Sequence, residues 1–117
     1  MSKNTSLPIE TIDFDNICPI VYALSIIGQK WKIPIMWHLS EHDPLRYNEI
    51  KRSVHGITNI MLTKSLQELE AHKLISRKQY DIVPPRVEYS LTKRGKSLIP
   101  VLKALDLWGK EQIALDR

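Results

Sequence analysis

The chain has 117 residues, of which 43% are hydrophobic and 26% charged, and a formal net charge of +4 at pH 7. That length supports one hydrophobic core and not two, and no apolar run approaches the length of a membrane span. A single cysteine excludes an intrachain disulfide framework and, with a polar N-terminus that lacks an apolar leader, fits a reducing cytoplasm.

Residues 1–17 read as a polar N-terminal arm, loose or ordered against a partner subunit. They hold one lysine and three acids, so residues 18–117, the folded domain, carry 16 basic and 10 acidic residues, a net +6. An excess of that sign favours a polyanionic partner. Cys18-Pro19 opens a first helix, with Pro19 suited to the first turn, an apolar stripe of Val21, Leu24 and Ile27, and a stop at Gly28. Trp31 to Ser40 is the next apolar segment. Pro34 cannot sit in a helix interior, so this second helix is expected to start near Pro34. A turn follows around Asp43-Pro44, then a short helix over Arg46 to Ser53 with Tyr47, Ile50 and Val54 facing in.

The most informative stretch is Gly56 to Leu74, GITNIMLTKSLQELEAHKL. Thr58 can cap a helix whose Leu62, Leu66 and Leu69 recur at i, i+4 and i+7. The opposite face carries Ile60, Lys64, Gln67 and Ala71. Such a helix packs one side on a core and can lay the other, N-terminal end first, into a groove of nucleic acid; an ordinary amphipathic surface helix has the same pattern. Ile75 to Tyr80 and Val87 to Leu91 alternate as strands around the Pro-marked turn DIVPPR, with Val87, Tyr89 and Leu91 on one face. Seven basic residues stand between Lys73 and Lys96 against two acidic ones. Thr92 then caps a last helix with Leu98, Val101, Leu102, Leu105 and Trp108 at helical spacing, and Pro100 predicts a kink or break within it. The order of helix, helix and basic hairpin predicts an α+β, mainly α fold: a winged helix-turn-helix with a basic β-hairpin wing. The apolar faces of the first and last helices suit a homodimer interface, or else both cover the same core.

Cys18-Pro19, IIGQKWKI, Arg46-Tyr47 with NEI, GITNIMLTKSLQELE and VPPRVEYSLTKRG with a later Trp108-Gly109 resemble the HxlR-type winged helix-turn-helix transcriptional regulators, within the MarR-like superfamily. The resemblance spans residues 18 to about 110. It implies a bacterial cytoplasmic homodimer, nucleoid-associated when bound to operator DNA, with the helix from Thr58 to His72 in the major groove and the hairpin tip as the wing. The chain departs from the pattern in four places. Ile60 replaces an early basic residue and suits a thymine methyl. Lys73 stands where a helix-ending Gly is usual. Lys32 and Pro34 replace capping and helix-forming types.

On this reading Arg77, Lys78, Arg86 and Lys93 are candidates for phosphate or minor-groove contact, with Arg46 and the cap Thr58 beside them. Asn59, Ile60, Thr63, Lys64 and Gln67 are candidates for base edges. Arg86 has a second role open to it, pairing with Glu88 to shape the wing. Cys18 is the one reactive centre: at a helix N-cap its thiolate is favoured by the helix dipole and free N–H groups, which suits sensing of oxidants or electrophiles such as quinones, aldehydes and disulfide stress. The alternative for Cys18 is a buried small hydrophobe at the interface. Trp31, Trp37, Trp108 and Tyr22 could line a pocket for an aromatic ligand instead, or simply fill the core. His38 and His42 share a helix face but lack a third ligand nearby, so neither a metal nor any other cofactor is expected. Without a phosphate-binding glycine loop, a nucleophile elbow or paired carboxylates in an apolar setting, an enzyme is not expected. A protein-interaction winged helix would be expected to shed the positive charge seen here.

Overall fold

The computed structural model describes residues 12–117; most of the predicted arm, residues 1–11, lies outside them. The rest of the arm contains a turn. Asp13 accepts the amide N–H groups of Asn16 and Ile17 at its carbonyl, at 3.2 and 3.0 Å, and its Oδ2 accepts Asn16 Nδ2 at 2.7 Å. Phe14 meets the ring of Tyr22 edge-on, with centroids 5.7 Å apart.

Six helices and three strands follow in the order α1 (Pro19–Ile27), α2 (Lys32–Glu41), β1 (Leu45–Arg46), α3 (Tyr47–Ser53), α4 (Asn59–Ala71), β2 (Ile75–Tyr80), β3 (Arg86–Leu91), α5 (Lys93–Lys96) and α6 (Ile99–Asp116). The strands form one antiparallel sheet, β1-β3-β2, with Ile75 opposite Leu91, Tyr80 opposite Arg86, and Arg46 opposite Glu88. The core lies between the sheet and the helices. It is built from Ile35, Met36 and Leu39 of α2, Ile50 of α3, Leu62, Leu66 and Leu69 of α4, Tyr89 and Leu91 of β3, and Leu102 of α6.

The hairpin and the stripe of α4 stand as the periodicity predicts. Pro100 does break the last helix, into α5 and α6, and comes to rest in the first turn of α6, where its missing N–H costs nothing. Two expectations need correction. The second helix begins at Lys32, two residues before Pro34, because the first-turn amides have no partner inside a helix and a proline there removes no hydrogen bond. Arg46 is not the first residue of its helix: it belongs to β1 and is the N-cap of α3, where its N–H donates to Glu49 Oε1 at 2.8 Å. The stripe of α1 is turned outward in part. Val21 and Leu24 are each 52% exposed, while Tyr22 and Ile27 are half-buried and Ser25 and Ile26 buried. Leu105, Leu107, Trp108 and Ile113 of α6 are exposed as well.

α4 ends at a left-handed residue. Lys73 has φ 62°; its N–H reaches Glu70 O at 2.9 Å and the next amide, Leu74, reaches Leu69 O at 3.0 Å. These are the paired bonds of a Schellman motif. Gly56, at φ 86°, makes the turn from α3 into α4.

Candidate nucleic-acid interface

Thr58 starts the helix that matters most. Its backbone is extended and its Oγ1 accepts the Met61 N–H at 3.1 Å, so a hydroxyl satisfies one of the free amides of the first turn of α4. With Leu62, Ser65, Leu66 and Leu69 buried, the helix turns Asn59, Ile60, Thr63, Lys64 and Gln67 to solvent. Ile60 is 80% exposed, an apolar side chain held out on a polar face. The sequence missed what fixes this face in place. Tyr47 Oη, from the first position of α3, lies 3.1 Å from Asn59 O, 3.2 Å from Asn59 Oδ1 and 3.2 Å from Thr63 Oγ1. Half-buried and read only as a core-facing residue, Tyr47 has an apolar ring that packs on the core and a hydroxyl that reaches the outer face.

On one side of Tyr47 opens a cleft of about 560 Å³ between α3 and the tip end of the hairpin, walled by Arg46, Arg52, Pro84, Pro85 and Arg86, among others. Three guanidinium groups around Glu49 give it a positive lining. On the other side of Tyr47 a groove of about 430 Å³ runs between α4 and the sheet, lined by Thr63, Gln67, Glu70 and Arg77. The candidate residues Arg46, Thr63, Gln67, Arg77 and Arg86 therefore border two adjoining hollows that share Tyr47, and Asn59 joins them through its bonds to the Tyr47 hydroxyl.

The hairpin register splits the basic residues of the wing. Arg77 pairs with Tyr89, whose side chain is in the core, and so stands on the face toward α4. Lys78 pairs with Glu88 on the other face. There Lys78 Nζ lies 4.9 Å and Arg86 Cζ 4.8 Å from the centre of the Tyr80 ring, and Arg86 Nε is 3.4 Å from Glu88 Oε2. Arg86 thus pairs with Glu88, the contact its second reading rests on, and it lines the cleft too. The tip beyond it is apolar: Val83 is fully exposed and Ile82 half exposed, next to two prolines. Lys93 stands apart. It follows Thr92, whose Oγ1 donates to Lys73 O at 2.6 Å, so it sits at the C-terminal end of α4 and not beside the first turn. Thirteen helical residues separate the two ends, roughly 20 Å at 1.5 Å per residue.

Away from this side, Cys18 is the N-cap of α1, exposed in the single chain and without a side-chain capping bond. The four aromatics read as a ligand pocket go separate ways. Tyr22 meets Phe14 edge-on, Trp31 carries Lys30 Nζ 4.5 Å over its ring, and Trp108 is 60% exposed. Trp37 lines a cleft of about 250 Å³ between α2 and α6 with Ile33, Leu102 and Leu105. His38 has Glu41 as a neighbour, Nδ1 to Oε1 3.9 Å.

Residues 26–117 match the family described as HxlR-like helix-turn-helix. An uncharacterized HTH-type transcriptional regulator of Halalkalibacterium halodurans is 48% identical over 91 residues, 78% of this chain and 80% of that protein. Among solved structures, the redox regulator HypR in its oxidized form is 41% identical with a TM-score of 0.77, over 80% of this chain and 96% of HypR. The reduced form of the transcriptional regulator YodB from Bacillus subtilis is 30% identical with a TM-score of 0.69, over 82% of this chain and 94% of YodB.

Proposed function

Because the chain belongs to the HxlR-like helix-turn-helix family of transcriptional regulators, we propose that it binds an inverted-repeat operator as a homodimer and responds to oxidants or electrophiles through Cys18. The observation that carries the DNA contact is the adjacency of two features at Tyr47: the polar outer face of α4 and the cleft lined by Arg46, Arg52 and Arg86. In the major groove, Asn59, Thr63, Lys64 and Gln67 meet base edges and Ile60 meets a thymine methyl. Arg46, Arg77, Lys78 and Arg86 meet phosphates or the minor groove beside it, each neutralised phosphate adding about 0.9 to the log-log salt slope. Lys93, at the far end of α4, meets backbone further along the duplex. Thr58 holds the first turn at the phosphates.

The homodimer is supported by the apolar surface that one protomer leaves open: Ile20, Val21 and Leu24 on α1, and Leu105, Leu107 and Trp108 on α6. Two-fold symmetry then sets two recognition helices about one turn of DNA apart, roughly 34 Å. The redox response is supported by the exposed thiol of Cys18 at the start of α1 and by the likeness to HypR and YodB. With one cysteine per chain, the products open to it are a disulfide with Cys18 of the partner subunit, a mixed disulfide with a small thiol, or an alkylated thioether.

A gel shift on the DNA upstream of the protein's own gene, against scrambled competitor and with or without diamide, tests the whole reading. A specific shift that diamide alters and a reductant restores is the expected result, and Cys18→Ser should keep the shift while losing the response. Equal affinity for scrambled DNA would sink operator recognition. A specific shift indifferent to diamide would sink the sensing role and direct attention to the Trp37 cleft.

A further inference from the structure

Lys32 is the one charged residue that is fully buried among the described residues, at 0% exposure. Its ammonium has two oxygen partners. Nζ donates to Ile26 O at 3.0 Å and lies 3.0 Å from Glu68 Oε1. The three residues belong to three helices: Ile26 is in the last turn of α1, Lys32 is the first residue of α2, and Glu68 is in the third turn of α4. The last four carbonyls of a helix have no amide partner of their own, so the ammonium satisfies an orphan oxygen at the negative end of α1. Glu68 follows Gln67, one of the side chains α4 turns outward.

Lys32 is fully buried and the Glu68 side chain 25% exposed, and such a pair adds little net stability, because stripping water from the ammonium offsets the attraction. What it does supply is direction, since a compact cation between two fixed oxygens holds both at one distance. We infer that Lys32 is a positioning residue for the DNA-binding face, setting the placement of α4 against the C-terminal end of α1. The inference rests on the reading of α4 as the helix that meets DNA. α1 carries Cys18 at its other end and Val21 and Leu24 on its open face, so a displacement of α1 passes through Ile26 O, Lys32 and Glu68 to the recognition helix. The position that looked in the sequence like a missing helix cap is the joint between the two.

Two variants test this. Lys32→Met with Glu68→Leu replaces the ion pair by apolar groups of similar size, and Glu68→Gln keeps an acceptor for Lys32 while removing the charge. Hydrogen exchange on the full-length protein reads the joint without DNA, and gel shifts on upstream and scrambled DNA read its effect on binding. The apolar pair should keep a cooperative melt near that of the wild type, with exchange faster by about tenfold at the end of α1 and in the second half of α4 only. Glu68→Gln, which leaves the Lys32 charge without its counter-ion, should show the same local pattern with a lowered melt. The preference for upstream over scrambled DNA should fall about tenfold, with scrambled binding and its salt dependence unchanged. Should the apolar pair not fold, Glu68→Gln decides alone. Exchange at α1 and α4 within twofold of wild type overturns the inference, and so does a uniform rise across the domain with a lowered melt, which would make Lys32 a general stability group. If the wild type itself prefers neither DNA, operator recognition fails while the exchange measurement still decides whether Lys32 holds α4 to α1.

Discussion

The hydroxyl of Tyr47 reaches the backbone carbonyl of Asn59 at 3.1 Å, so α3 is latched onto the first turn of α4 at the point where that helix faces outward. The same oxygen lies 3.2 Å from Thr63 Oγ1, one turn further along. One phenol thereby ties together two side chains that the DNA-binding reading assigns to base contact.

Tyr47→Phe keeps the ring in its place and removes this latch. A net hydrogen bond is worth about 1 kcal/mol, so the thermal midpoint is expected to fall by about 5 °C, and operator affinity by up to roughly fivefold where DNA must re-order the loosened first turn. Titration of both proteins on the same DNA fragment checks it, and equal affinities would mean the latch does not bear on binding.

Lys73 takes a left-handed conformation that costs a residue with a Cβ about 1 kcal/mol relative to glycine. Lys73→Gly is expected to raise the thermal midpoint by about 5 °C in a domain of this size. A lowered midpoint would mean that the lysine side chain stabilises more than its backbone costs.

Gly95 lies under the end of α4, where a Cβ would be driven into the carbonyl oxygen of Leu74. That carbonyl already accepts the Thr92 N–H at 3.0 Å and belongs to backbone, so it has little freedom to move aside. Gly95→Ala is expected to cost about 2 kcal/mol or more. Urea denaturation measures it, and a midpoint matching the wild type would show that α5 can shift.

His72 has its pKa lowered from 6.5, first by burial and then by the positive charges of Lys32 and Arg94, against a smaller opposing pull from Glu68. The folded protein therefore binds this proton less readily than the unfolded chain. The associated stability is whole above pH 6.5 and is lost as pH falls from there through the folded value. Melts recorded between pH 7.5 and pH 5.5 should show a fall that His72→Gln removes. A parallel fall in both proteins would assign it to other groups.

Much of this was legible in the sequence because the signals are local. Period-two alternation from Val87 to Leu91 gives the core face of the hairpin, a hydroxyl before a leucine stripe gives the start of α4, and Thr92 followed by Pro100 gives a capped turn and a break. What escaped depends on partners distant along the chain. β1 has two residues, too few for a pattern, and exists because Leu45 and Arg46 pair with Tyr89 and Glu88. A lysine in a helix reads as solvated, and nothing near Lys32 announces that Glu68 lies 36 positions away within reach of it. Val21, Leu24 and Ile27 read as one apolar stripe for a partner or for the core, and the spacing alone does not show that the monomer core takes Ile26 and the half-buried Tyr22 and Ile27 while Val21 and Leu24 stay exposed. Tyr47 was found as a packing residue, and only three-dimensional placement shows where its hydroxyl ends.

Arg46 is at once the last residue of β1 and the residue that caps α3, with no residue between them free of either element. β1 is itself bonded to β3, the central strand, which forms one side of the hairpin. The wing consequently has no hinge against the helix pair. A force that tilts the hairpin must drag α3 with it, and Tyr47 hands the motion on to the start of α4. On the DNA-binding reading proposed above, that face moves as a single lever, and a duplex whose groove is too wide or too narrow at the wing is expected to be rejected at the recognition helix as well.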